Sequence, residues 1–483
     1  MKKLIVKIAA ILLAFGMILA ISACDKQEED GLVLRVYNWQ DYINDGTDED
    51  GRKVDKSVME LWAEDYEART GQKVRVQYDT FETNETMLNT LRTGKTQYDL
   101  VCPSDYIIQK MLIETEKGES GETNIAIEKY DISKMPNYTA NVSPYISNLF
   151  EQNGWTDYAV GYMWGSVGIM YNPEKVAYED VNTWDILWNP DYKNKATCKD
   201  TSRDAYVIGL LEVYADELRA NRAAYDNGEI SGEELQRRTH EIVNRVDDES
   251  IVLVENALKE MKDNIYGFEV DSGKTDMVTG KIDINVCWSG DAVYSMDLAE
   301  EEDDTLLNYV VPAEGSTVWF DGWVMPKGAN VELAQDFVNF MCDPAIAAMN
   351  QDFIGYTSVI AGDDIFDLVL DWYDEEDGDI TYDVSYFFDG TLSEDRLTDG
   401  KAIVRTSEMN RQLMAQYPDM DTTYRCGVME DFGAQNDKVL AAWSEVKGTN
   451  LPIWIYILAI AVLIAAVVVI VFISTGKKRR KHR

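Results

Sequence analysis

Four short segments bring aromatic rings and carboxylates together: Asn38-Trp39-Gln40-Asp41-Tyr42, Pro103-Ser104-Asp105-Tyr106, Trp288-Ser289-Gly290-Asp291 and Val318-Trp319-Phe320-Asp321. None contains a basic residue. An indole or phenol face attracts a cation by ~0.5–2 kcal/mol, and a carboxylate adds a charge-assisted bond that fixes its position. The pattern therefore suits a small cation, and argues against an anion or a metal ion. Catalysis finds less support. Only His240 and His482 are histidines, which leaves little for a zinc site or a Ser-His-Asp triad. The carboxylates are abundant, yet no spacing singles out an acid and a nucleophile of the glycosidase kind. The six cysteines, Cys24, Cys102, Cys198, Cys287, Cys342 and Cys426, form no C-x-x-C pair, and disulfide dependence is not expected of a chain this large.

Each segment follows a run that reads as a strand. Leu32–Tyr37 alternates, Val58–Thr70 is an amphipathic helix ended by Gly71, and Lys73–Tyr78 alternates again. Glu85–Arg92 is helical up to Gly94, and Tyr98–Cys102 is a short buried strand. Strand, helix, strand, helix, strand predicts a largely parallel sheet with helices on its faces. Ile282–Trp288 and Leu306–Pro312 read as further strands, and Val331–Met341 as a helix stopped by Asp343-Pro344. Glu212–Arg245 reads as a charged surface helical pair broken at Asn227-Gly228. In open α/β sheets ligands bind beyond the carboxyl ends of the strands, which is where the four aromatic–acidic segments lie.

With 483 residues the chain is too long for one core and predicts two lobes plus targeting segments. It carries 45 Lys and Arg against 86 Asp and Glu, a net charge of −41. That field repels nucleic acid and attracts cations; a soluble or salt-tolerant surface accounts for it equally well. Residues 1–23 read as a secretory signal, and Ile21-Ser22-Ala23-Cys24 resembles a bacterial lipoprotein cleavage box, which implies lipid on Cys24 and a tether over 24–31. Leu451–Ser474 is an uncharged run of 24 residues, long enough to span ~30 Å of hydrocarbon. The basic tail 475–483 that follows places the tail in the cytoplasm and the body outside.

Six motifs then carry a resemblance. Tyr37-Asn38-Trp39-x-Asp41-Tyr42, Glu82–Met87, Tyr98–Tyr106, Trp164-Gly165, Trp319-Phe320-Asp321 and Ile354-Gly355-Tyr356 resemble, in order, the spermidine/putrescine-binding proteins of polyamine ABC transporters. The resemblance implies an α/β, two-lobed periplasmic-binding-protein type II fold, here with a C-terminal transmembrane helix, and no cofactor, metal or enzymatic activity. It implies hinge crossovers near Trp164–Ser166, Trp319–Phe320 and Ala361–Asp364. Lobe 1 would take 32–165 and 320–362, and lobe 2 166–319 and 363–447.

The resemblance also implies ligand contacts at Trp39, Asp41, Tyr42, Ser104, Tyr106, Asp204, Trp288, Trp319, Asp321 and Tyr356, with an ABC permease as partner. A polyamine needs flat walls for its methylenes and anions for its ammoniums; Asp41, Asp204 and Asp321 would balance a triamine. Two positions depart from the family pattern. An acid falls on Thr201, with Asp200 beside it as a substitute, and a glutamine falls on Met429, beside Glu430. Diamine against triamine stays open at this point, as do a sugar, thiamine or an iron chelate as ligand and a tethered sensor as role.

Overall fold

The computed structural model describes residues 31–48 and 51–448. The signal peptide, Cys24 with most of its tether, the Leu451–Ser474 span and the basic tail lie outside the described residues. Among the described residues no helix is long and apolar enough to cross a membrane.

Thirteen strands are formed: β1 (Leu32–Trp39), β2 (Val74–Phe81), β3 (Leu100–Val101), β4 (Ala159–Tyr171), β5 (Ala196–Lys199), β6 (Gly267–Glu269), β7 (Ile284–Trp288), β8 (Asn308–Val310), β9 (Ser316–Val324), β10 (Thr357–Ser358), β11 (Ile380–Asp383), β12 (Ile403–Thr406) and β13 (Cys426–Val428). Eleven of them make one sheet with the path β2-β1-β3-β9-β4-β7-β5-β6, and β11 and β12 pair apart from it. β1 runs parallel to β2 and β3, and β5 runs parallel to β6 and β7. Two parallel half-sheets are thus joined by the antiparallel pair β4 and β9.

That pair is where the chain passes from one half to the other. β4 lies against β9 from Ala159 to Ser166 and against β7 from Val167 to Tyr171. β9 takes β13 as its partner at Ser316–Val318 and reaches β3 at Val324. All thirteen residues of β4 and all nine of β9 are buried, as expected of strands covered on both faces. In the segment where the third crossover was expected, Gly362 has φ 108° and precedes the helix Asp363–Tyr373.

Local signals act as expected in the first half. Ser57 and Glu60 make a reciprocal capping box on the helix Val58–Thr70, which ends at Gly71 with φ 72°. Several expectations need correction. The strand expected over Leu306–Pro312 shrinks to β8, and the one over Ile282–Trp288 begins at Ile284. Val318–Asp321 is no exit loop but lies inside β9, because pairing with β4 continues through it. The charged stretch does break at Asn227-Gly228, but its second helix, Gly232–Val243, is no mere surface element. It buries Leu235, Thr239, Ile242 and Val243, and its backbone at His240 lies against Gly427 of β13.

Candidate ligand-binding site

Because the strands of each half-sheet are parallel, their carboxyl ends deliver side chains to one cleft between the halves. β1 delivers Trp39 and Tyr42, β3 delivers Ser104 and Tyr106, β5 leads to Asp204, and β7 delivers Trp288. β9 contributes Trp319 and Asp321 from within the sheet, and the turn after the helix Pro344–Ile354 contributes Tyr356.

Asp321 is the centre. Its side chain is buried, and the Tyr42 hydroxyl donates to its Oδ2 at 2.9 Å. Its Oδ1 is buried without a partner. Burial pushes the carboxyl up to about 6; the Tyr42 hydrogen bond and the neighbouring Ser104 hydroxyl offset part of that, and Asp204 adds to it by repulsion. Three rings surround it. Tyr356 meets Tyr42 edge-on at 5.5 Å between centroids and Trp319 at 5.5 Å. Two glycines let these rings lie flat on the backbone. A Cβ on Gly165 would stand 2.7 Å from Trp319 Cζ2, and one on Gly290 would stand 2.3 Å from the Tyr356 ring.

On the other half-sheet, Thr201 caps the helix Ser202–Val213, and its hydroxyl donates to Asp204 Oδ2 at 2.6 Å. Burial raises the Asp204 carboxyl, against the pull of Thr201, Lys199, Arg203 and the Trp288 indole. Trp288 is half-buried at the end of β7. Ser104 and Tyr106 are held by Asn84, whose amide donates to the Ser104 Oγ and the Tyr106 hydroxyl, each at 3.0 Å. Glu85 stands at the rim, half-buried, 3.5 Å from the Tyr106 hydroxyl.

Several contacts cross the cleft and hold it shut. Tyr356 donates to Asp291 Oδ1 at 2.8 Å, and the Arg203 guanidinium lies 5.0 Å from the Tyr106 ring centroid. The Asp431 backbone N–H donates to Gln109 Oε1 at 2.6 Å, and Lys110 Nζ lies 3.3 Å from the Asp431 carboxylate.

Contacts thus bring together eight of the ten expected residues, all but Trp39 and Asp41. Trp39 is half-buried on Phe81 at 4.6 Å, its indole N–H buried without a partner. Asp41 faces away from the others. It is exposed, with φ 51°, and its carboxylate meets the Gln40 amide at 3.4 Å in solvent. A left-handed residue turns the chain sharply after β1, so Tyr42 points inward and Asp41 outward. Asp200, the expected substitute at the first departure, and Glu430, the neighbour of the second, are both engaged elsewhere. Asp200 pairs with Lys447, and Glu430 accepts from or pairs with His240 Nε2 at 3.1 Å.

Sequence reasoning passed over four buried charges. Asp105 is fully buried, and burial raises its carboxyl strongly, against the pull of Arg203. Asp291 would be raised by burial, but Lys199 and Lys274 hold it below the ordinary carboxylate range. Arg203 is buried and donates to the Glu430 carbonyl at 2.8 Å. Lys199, 1% exposed, donates to Asp291 Oδ2 at 2.7 Å and to the Val270 carbonyl at 2.8 Å. Asp105 and Asp291 stand inside the aromatic–acidic segments, so their signal was present. Lys199 ends a four-residue strand too short to show periodicity.

The arrangement suits binding of a cation with an apolar body, and comparisons with known proteins agree on its class. Residues 62–362 match the family described as bacterial extracellular solute-binding protein. The spermidine/putrescine-binding periplasmic protein of Escherichia coli (strain K12) is 29% identical over 348 residues, covering 71% of this chain and 82% of that protein. The putrescine-binding periplasmic protein SpuD of Pseudomonas aeruginosa is 28% identical over 337 residues, covering 68% of this chain and 79% of that protein. Among solved structures, the spermidine/putrescine ABC transporter substrate-binding protein PotD from Streptococcus pneumoniae superposes with a TM-score of 0.55 at 26% identity. It covers 86% of this chain and 99% of that one. The two parallel half-sheets joined by β4 and β9 are therefore the two lobes of a periplasmic-binding-protein fold, and the chain belongs to the bacterial extracellular solute-binding protein family.

Proposed function

We propose that this protein captures a polyamine, spermidine or putrescine, outside the cell and delivers it to the permease of an ABC importer. The names of its relatives support the ligand class and the importer. The observation that carries the reading is the buried Asp321 Oδ1, without a hydrogen-bond partner, walled by Tyr42, Trp319 and Tyr356. A buried carboxylate lacking a partner is costly. An ammonium supplies the missing bond and the missing charge, and the rings around it take the methylenes and the cation's spread charge.

In this reading Tyr42, Trp319 and Tyr356 grip one end of the ligand against Asp321. Trp39, Ser104 and Tyr106 line the first lobe's mouth, and Asp204 and Trp288 face them from the second. The lobes comprise 32–165 with 320–362 and 166–319 with 363–447, and closure about β4 and β9 expels water from the ammonium contacts. No bond is made or broken, so the protein is a carrier and not an enzyme.

Isothermal titration of the full chain in detergent at low salt tests this. Putrescine or spermidine gives saturable heat and a raised melting temperature, and maltose gives neither. Silence from both amines sinks the proposal, and a response to maltose alone favours a sugar.

Two anchors complete the proposal: lipid on Cys24 and a helix over Leu451–Ser474, which keep the body on the outer face of the membrane with the tail 475–483 inside. Tethering raises the local concentration beside the permease without adding contacts to the ligand. A chain truncated before Leu451 is therefore expected to keep its amine affinity within about twofold. A large loss of affinity in that fragment contradicts a purely anchoring role.

A further inference from the structure

The second lobe carries a cation of its own. Lys199 Nζ stands 4.4 Å from the Trp288 ring centroid, in the position over an indole face that an ammonium takes. It is fully engaged there, 2.7 Å from Asp291 Oδ2, 3.4 Å from Glu269 Oε1 and 2.8 Å from the Val270 carbonyl. Asp291 is further occupied by the Tyr356 hydroxyl at 2.8 Å and by Lys274 at 3.8 Å. Glu269 accepts from the Gly273 N–H at 2.8 Å and the Asn285 amide at 3.2 Å.

A continuous chain of contacts links this lysine to the proposed ligand centre. Asp321 is held by Tyr42, Tyr42 touches Tyr356, Tyr356 donates to Asp291, and Asp291 holds Lys199 against Trp288. The site is therefore one row of anions and rings, one position of which is already filled by the protein.

We infer that Lys199 is a specificity-determining residue, a built-in ammonium that fills the Trp288 subsite and restricts the cleft to diamines at the expense of triamines. This inference rests on the proposed polyamine reading. Of the buried acids named at the site, Asp321 and Asp204 make no ion pair among the described residues, although Lys199 and Arg203 pull on Asp204 from further off, and Asp105 faces Arg203. Two ammoniums match Asp321 and Asp204. Asp41 lies in solvent and Glu85 at the half-exposed rim, so neither supplies a third buried partner. A third ammonium driven toward Trp288 meets Lys199, a like charge that the interior screens poorly.

The test titrates putrescine and spermidine into the full chain in detergent, as wild type, as Lys199→Met, and as Lys199→Met combined with Asp291→Asn. The double variant removes the Asp291 carboxylate along with the lysine, so only Glu269, still held by the Gly273 N–H and the Asn285 amide, loses its cation, and the asparagine oxygen still accepts from Tyr356. Wild type is expected to bind putrescine at least about tenfold tighter than spermidine. Both variants, with the indole face vacated, shift the ratio of the two affinities toward spermidine by about tenfold or more. Tighter spermidine binding by the wild type overturns the inference, as does an unchanged ratio in a folded double variant. If the wild type binds neither amine, it is the polyamine reading that fails.

Discussion

Asp321→Asn is expected to weaken amine binding by about 100- to 1,000-fold, the ~3–4 kcal/mol typical of removing one charge from a buried hydrogen-bonded pair. The amide keeps the shape of the carboxyl and can still accept from the Tyr42 hydroxyl, now 2.9 Å from Oδ2. What it lacks is the charge that an ammonium needs once water has been expelled. The ligand-free fold should not suffer. The wild-type carboxylate is buried with Oδ1 unpartnered, so a neutral amide leaves the melting temperature unchanged or higher. Titration calorimetry and thermal melts on the same preparation separate the two effects. A variant that binds like wild type removes Asp321 from the site.

The same residue sets a pH dependence. In the ligand-free protein burial holds the Asp321 carboxyl at about 6, above its ordinary 3.8. An ammonium binds the ionised form, so binding must displace a proton wherever the carboxyl is protonated. Affinity is therefore flat above about pH 6 and falls below it, by up to tenfold per pH unit. For folding the sign is reversed. A carboxyl whose folded-state pKa is raised binds its proton more tightly when folded, so its own contribution favours the ligand-free fold as pH drops through 6. In Asp321→Asn the residual binding should lose this dependence.

How much of this was legible in the sequence depended on whether a signal was local. The strands β1 and β2 and the helix Val58–Thr70 could be read because alternation, a capping box and a terminal glycine are written within a few residues. The aromatic–acidic segments named the cleft because parallel strands send their exits to one end of a sheet. Asp41 went the wrong way for an equally local reason. Its positive φ reverses the chain between Trp39 and Tyr42, and residue order alone does not tell which side chain faces inward. Trp319 and Asp321 were identified as site residues but set in a loop. Their place inside β9 depends on pairing with Gly165 and Met163, some 150 positions away. Lys199 was out of reach altogether. Its partners Glu269, Asp291 and Trp288 lie 70 to 92 positions further on, joined to it by the β5, β6 and β7 alignment. A buried lysine in an acidic protein of net charge −41 is invisible until that alignment brings its counter-ions together.

The stability of Lys199→Met follows from that enclosure. Burial by itself would strip the proton from this amine, yet Asp291 and Glu269 hold its pKa above the ordinary lysine value, so it is an ammonium within the folded protein. Removing it leaves Asp291 and Glu269 buried with only Lys274, 3.8 Å from Asp291, as nearby positive charge. Breaking one side of a buried ion pair costs about 3–5 kcal/mol, on the order of 10 °C in melting temperature for lobes of this size. Lys199→Met combined with Asp291→Asn should recover part of that loss, because it removes one of the two stranded carboxylates, the one closer to the lysine, and leaves only Glu269. The pH dependence has a definite sign. In the wild type Asp291 is held below the ordinary carboxylate range and stabilises the fold above that range. In the single variant its carboxyl rises, so the deficit is largest at neutral pH and shrinks as acid protonates Asp291 and Glu269. A single variant that melts with the wild type at pH 7, or a double variant no more stable than the single, would show that these charges are solvated and that Lys199 does not stand fixed over Trp288.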